Sequence, residues 1–140
     1  ILVDVIGLGS GVVDRLSELG MPVRGVNVAE SPASRKNYLN LRAELWFAIK
    51  DWLTKRDCRL PEDDELIAEL TSPQYTYTSA GKIKIEAKEA MRKRGIKSPD
   101  KADALALTMA STAATFTGGT ISSMGYNFKK PLKSKIIRVG

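Results

Sequence analysis

Ile1-Leu2-Val3-Asp4-Val5-Ile6-Gly7-Leu8-Gly9-Ser10-Gly11 opens the chain, and its reading decides the fold. A continuous apolar run of this kind predicts a strand buried on both faces, as in a parallel sheet. Asp4 is its one charge and stands near its carboxyl end, where ligand and catalytic groups gather in open α/β sheets. The plainer alternative for Asp4 is a strand-end carboxylate turned to solvent or capping the next turn. The glycines invite a nucleotide-binding reading, but the spacing excludes it. A dinucleotide fingerprint needs glycine at its sixth position, which counted from Gly7 is Val12, and no Gly-Lys-Ser/Thr ending marks a P-loop. The turn instead reads as one that brings the backbone close to whatever binds at Asp4, with anion binding by its N–H groups as the lesser reading. A helix is predicted from Val12 to about Leu19 and a second strand from Met21-Pro22-Val23 to Val28. Together they make a βαβ unit, hence parallel strands with a right-handed crossover.

The second informative stretch is Ser98-Pro99-Asp100-Lys101-Ala102-Asp103-Ala104-Leu105-Ala106-Leu107. Ser98 suits an N-cap and Pro99 a first helical position, so a helix starts here. Asp100 and Asp103, three apart, share one side of it. The helix runs on through Leu105, Leu107, Met109 and Ala110, an apolar stretch expected to be buried. An acid entering a buried face needs a partner, and a divalent cation is one. For Asp100 the helix dipole alone explains a carboxylate in the first turn. Asp103 lies deeper, beside Ala106 and Leu107, and is the stronger ligand candidate.

Composition narrows the chemistry. The chain has 140 residues, 43% of them hydrophobic, which suits one domain with a single core. No apolar run approaches the roughly 18 residues of a membrane-spanning helix, and no secretory signal pattern is visible. Its one cysteine, Cys58, has no internal partner, which fits a reducing compartment. Histidine is absent altogether. That removes Ser-His-Asp and Cys-His nucleophiles and histidine-ligated zinc, leaving carboxylates, lysines, hydroxyls and all-oxygen magnesium or manganese sites.

Lysine and arginine exceed aspartate and glutamate by 22 to 16, a formal charge of +6, and the excess is clustered. Lys82, Lys84, Lys88, Arg92, Lys93 and Arg94 fall within one short stretch and are the candidate DNA-binding residues. Cations beside a metal site suit phosphodiester chemistry, because they neutralise phosphates and hold a duplex in register. The plainer reading is a solvated helix face. From Phe116 to Gly140 there are five basic residues and no acid, an electrostatic arm or extension. Between the two motifs the sequence predicts a polar loop over Glu30 to Asn37 and an amphipathic helix from about Asn40 to Lys55. Leu41, Leu45, Ala48, Ile49 and Trp52 form its apolar face, and both tryptophans read as core. A short helix follows from about Asp63 to Leu70. Gln74–Thr78 and Lys82–Glu86 alternate around Ser79-Ala80-Gly81, which signals a hairpin.

Three segments, Asp4 to Leu16, Tyr38-Leu39-Asn40-Leu41-Arg42-Ala43-Glu44-Leu45-Trp46 and Ser98 to Leu107, occur in an order and spacing that resembles the nuclease domain of the large terminase subunit of tailed bacteriophages. The resemblance covers about residues 1–112. It implies an α/β ribonuclease H-like fold, a parallel or mixed sheet flanked by helices. It also implies metal-dependent endonuclease action on concatemeric double-stranded DNA during packaging. In that family two magnesium or manganese ions are held by acidic side chains. One activates the attacking water and the other stabilises the leaving oxygen. By motif position Asp4 is the second acid of the site, Asp103 the third and Asp100 an extra ligand. The implied partners are DNA, the portal and the small terminase subunit, and the implied setting is the cytoplasm of the bacterial host.

The family's first aspartate and the strands preceding the Asp4 strand have no counterpart here. The expectation is therefore a nuclease domain over 1–115, truncated at its amino end, and a basic tail over 116–140. An exposed sheet edge and weak cleavage should follow, the edge favouring self-association. Two rivals stand beside this reading. One is a RuvC-like resolvase, disfavoured by the long insertion between the Asp4 strand and the Asp103 helix. The other is a non-catalytic DNA-binding or motor-docking module in which the aspartates are bystanders.

Overall fold

The computed structural model describes residues 1–56 and 58–113, so the basic tail lies outside the described residues. In chain order the elements are β1 (Leu2–Asp4), α1 (Gly9–Glu18), β2 (Arg24–Val26), α2 (Leu41–Thr54), α3 (Asp64–Thr71), β3 (Tyr75–Tyr77), β4 (Ile83–Ile85), α4 (Lys88–Lys93) and α5 (Asp100–Ala113). No helix among the described residues is long and apolar enough to cross a membrane.

β1 and β2 pair in parallel, with Leu2 opposite Arg24 and Asp4 opposite Val26, and α1 connects them. The βαβ unit is as expected. The sheet, however, is not the single parallel or mixed one. β3 and β4 form a separate antiparallel hairpin, so the described residues hold two two-stranded sheets. β1 is half-buried, and Ile1 and Ile6 at its ends are exposed. One hydrogen-bonded neighbour and the packing of α5 cover only part of it.

The glycine turn meets a steric demand within the chain itself. Gly7 adopts φ +73°, the left-handed region that glycine enters freely. A Cβ on Gly9 would stand 1.7 Å from the carbonyl oxygen of Asp4. The close approach is therefore to the chain's own strand end. With that steric demand met, α1 begins at Gly9, three residues earlier than the apolar pattern predicts.

α2 and α5 are the principal packing pair. α5 contributes Ala102, Ala106 and Ala110, a buried seam at four-residue spacing, to a core with Leu41, Leu45, Trp46, Ile49, Leu66 and Val26. Small side chains allow two helices to approach closely. Leu105, Leu107 and Met109, expected to be buried, are only half-buried because the alanines take the face toward α2. At the start of α2 the Asn40 side chain accepts the Ala43 N–H. Glu44 accepts the N–H groups of Ala33 and Ser34, which ties the polar loop to the helix.

Ser98 is not the cap of α5. Its hydroxyl donates to Asp100 Oδ1 at 2.7 Å, while the Pro99 carbonyl accepts the Asp103 N–H at 2.8 Å. The buried first-turn N–H of Ala102 instead donates to Glu69 Oε2 at 2.9 Å. Glu69 comes from α3 and is 8% exposed. A carboxylate at this position satisfies an orphan donor and complements the helix dipole. Nearby, Lys101 Nζ contacts Asp63 Oδ2 and Glu65 Oε2, each at 2.7 Å, and Lys97 reaches Glu65 Oε1 at 3.0 Å. The beginning of α5 is thus fastened to α3 by one buried bond and a surface ion cluster.

Replacing Glu69 leaves the Ala102 N–H without an acceptor in a buried place. Glu69→Ala should lower unfolding free energy by about 1–3 kcal/mol in urea titrations, well beyond the effect of the exposed Glu62→Ala.

The ion cluster sets a pH dependence. Hydrogen bonds from Lys101 hold Asp63 below its ordinary 3.8, and those from Lys101 and Lys97 hold Glu65 below 4.5. Lys101 is raised above 10.5 by bonding Asp63 and Glu65. The carboxylates contribute stability above their ordinary range, and this is lost as pH falls through their lowered values. The lysine contribution is present below 10.5 and is lost only as pH rises through its raised value. Lys101→Met should return both carboxyl titrations toward their ordinary values in carbon-detected NMR. It should also flatten the fall in melting temperature between about pH 6 and pH 3.

Candidate active-site cleft

A cleft of about 580 Å³ lies between the end of β1, the first turns of α2 and α5, and the chain from β4 into α4. Asp4, Asp100 and Asp103 all line it, joined by Arg42 and Trp46 from α2 and by Lys84 and Lys88. Residues from opposite ends of the sequence therefore meet, because α5 packs on both β1 and α2.

Asp103 is the most constrained of the three acids. Its Oδ1 accepts the indole N–H of Trp46 at 3.0 Å and guanidinium N–H groups of Arg42 at 3.3 and 3.4 Å. Its Oδ2 meets Lys88 Nζ at 2.9 Å. The side chain is 22% exposed, so four donor contacts offset the cost of withdrawing the charge from water. Arg42 is itself held on two further sides. Its Nη1 donates to the Glu86 carbonyl at 2.8 Å, and its guanidinium stands 5.8 Å from the Trp46 ring centroid.

Asp100 is 71% exposed and takes the Ser98 hydroxyl, with Lys88 3.8 Å away. It stands at the rim. Asp4 Oδ1 accepts the Ile6 N–H at 3.0 Å, the strand-end capping bond that its sequence position allows. It nonetheless lines the cleft.

Every acid at the cleft offers hard carboxylate oxygen, the ligand type that magnesium and manganese prefer. Among the described residues no group of three or more acid, cysteine or histidine side chains is placed to hold a metal together. A closed all-protein cage is therefore absent from them. Magnesium commonly retains several waters and binds through one or two carboxylates, and Asp4 and Asp103 both line the cleft with that type of oxygen donor.

The six candidate DNA-binding cations separate. Lys84 and Lys88 line the cleft. Lys82 lies at the hairpin turn, where its N–H donates to the Thr78 hydroxyl. Arg92 pairs with Glu89 at 3.7 Å on α4, Lys93 is exposed there, and neither lines the cleft. Arg94 is committed to structure, donating to Glu86 at 2.6 and 2.8 Å and to the Ser72 carbonyl at 3.1 Å. Its hydrogen bond holds the Glu86 carboxyl below the ordinary range. Arg42 and Trp46 were not singled out from sequence as site residues. The available signal was their four-residue spacing on the buried side of a helix, where a guanidinium and an indole N–H each require an acceptor.

No protein-family model matches the sequence, and no curated protein does. Solved structures do. The nuclease domain of the large terminase subunit gp2 of bacterial virus Sf6 matches with TM-score 0.63 and 28% identity, covering 77% of this chain and 63% of that one. A single-residue variant of that domain with manganese gives TM-score 0.63 and 26% identity over 77% and 64% of the two chains. The variant with manganese and beta-thujaplicinol gives 0.64 and 27% over 77% and 63%. The chain thus spans somewhat under two thirds of the length of these nuclease domains. In sequence and in fold it is similar to the nuclease domain of the large terminase subunit of a bacterial virus.

Proposed function

We propose that this chain is a metal-dependent endonuclease domain of ribonuclease H-like fold that hydrolyses phosphodiester bonds of double-stranded DNA during viral genome packaging. One observation carries the reading. Asp4 and Asp103, distant in sequence, line one cleft with Lys84 and Lys88, in a chain similar to a nuclease domain solved with manganese.

Asp4 and Asp103 would hold the metal, with Asp100 as an outer ligand at the rim. A pair of magnesium or manganese ions there would supply an activated water and charge at the leaving oxygen. The chain's own groups do the rest. Lys84 is exposed beside the acids and suited to a backbone phosphate, which it would draw in without reading sequence. Lys88 spans from Asp103 toward Asp100 and keeps the local charge balanced. The natural substrate would be concatemeric DNA in the bacterial host, delivered in company with the portal and the small terminase subunit, as the terminase likeness suggests.

The pairing of Asp103 with Arg42, Trp46 and Lys88 favours a second reading, a non-catalytic DNA-binding module in which Asp103 is a structural partner. Plasmid nicking in Mg²⁺ and Mn²⁺ separates the two. For the nuclease, Asp103→Asn should reduce nicking by at least about 100-fold while leaving DNA affinity near normal. Equal nicking by both proteins, or none by the wild type, would count against it.

Lys84→Ala should weaken DNA binding similarly for all sequences. It should also reduce the slope of log affinity against log salt by about 1, measured by fluorescence anisotropy.

A further inference from the structure

The segment Tyr38 to Trp46 belongs to the terminase-like pattern, yet the proposed chemistry gives it no role. Its residues have distinct structural tasks. Asn40 caps α2, Glu44 holds the polar loop, and Ala43 is fully buried. Arg42 and Trp46 remain, one helical turn apart, and both donate to the same oxygen atom, Asp103 Oδ1.

We propose that Arg42 and Trp46 are positioning residues that fix the carboxylate plane of Asp103, committing Oδ1 to α2 and presenting Oδ2 to the cleft as the metal-binding oxygen. The inference rests on the nuclease reading of that cleft. A lone aspartate turns readily about its terminal torsion and can present either oxygen. Convergent donors on one oxygen remove that freedom. The donors are themselves immobilised. Trp46 is 8% exposed within the core, and Arg42 is anchored to the Glu86 carbonyl and lies near the Trp46 ring. Oδ2 meets the Lys88 ammonium at 2.9 Å, on a half-exposed side chain lining the same cleft. Outer groups that orient a ligating carboxylate characteristically change metal affinity by about 10–100-fold when removed.

A purely structural alternative makes a different prediction. If these bonds only join α2 to α5, their loss lowers stability and leaves the metal affinity of the folded chain unchanged. The test is Mn²⁺ binding by the full chain, read from the electron paramagnetic resonance signal of free Mn²⁺. Melting temperature and circular dichroism confirm folding of each variant. Trp46→Phe keeps a ring in the core and removes only the N–H donor, while Arg42→Gln removes the guanidinium donors and their charge. Each should raise the Mn²⁺ dissociation constant about 10-fold or more, and Asp103→Asn should abolish binding. If Asp103→Asn abolishes binding but both other variants bind as the wild type does, the positioning role is wrong and the nuclease reading survives. If Asp103→Asn binds normally, or the wild-type chain binds no Mn²⁺, the reading of the cleft falls and this inference falls with it. Should Trp46→Phe fail to fold, Arg42→Gln decides on the same criterion.

Discussion

A carboxylate that cannot be left unpaired organises the centre of this molecule. Asp103 stands on the side of α5 that enters the protein, where an isolated charge is costly. Its partners come from α2, through Arg42 and Trp46, and from α4, through Lys88. Satisfying one side chain therefore sets three helices in relation to one another. The alanine seam of α5 is the complement of this constraint. With Ala102, Ala106 and Ala110 on the contact face, α5 lies close enough to α2 for a short aspartate to reach an indole N–H.

The same economy governs the start of α5. Proline at position 99 has no N–H, and its carbonyl begins the helical ladder by accepting from Asp103. Glu69 supplies a buried acceptor to Ala102, and Lys101 binds the two acids at the start of α3. Asp100 and Asp103 are therefore carried on a helix end held from two directions. Such anchoring lets a functional carboxylate keep one geometry, which a loop of the same sequence would not provide.

Much of the fold was legible because it depends on local rules. The βαβ opening, the amphipathic α2, the short α3, the hairpin around Gly81 and the helix that carries Asp100 and Asp103 all emerge close to where their sequence signals stand. The departures share one cause, the involvement of residues far along the chain. Ser98 looks like a cap, but the acceptor for Ala102 comes 33 residues earlier. Gly9 has to be glycine because the Asp4 carbonyl stands against it. Arg94 stands in a run of basic residues, and its guanidinium reaches back to Ser72 and Glu86, contacts that no neighbour along the chain announces.

By itself the sequence determined the element types, the absence of histidine chemistry and the candidacy of Asp4 and Asp103. These follow from periodicity, composition and the cost of placing an acid in an apolar run, all of which are properties of neighbours along the chain. Only the tertiary structure decided that Asp4 and Asp103 line one cleft, that Lys84 and Lys88 join them there while Arg92 and Arg94 do not, and that Trp46 is a donor as well as core. Those outcomes depend on which faces of α2, α4 and α5 meet across the packed interior. Packing of distant segments selects those faces, and no local pattern specifies it.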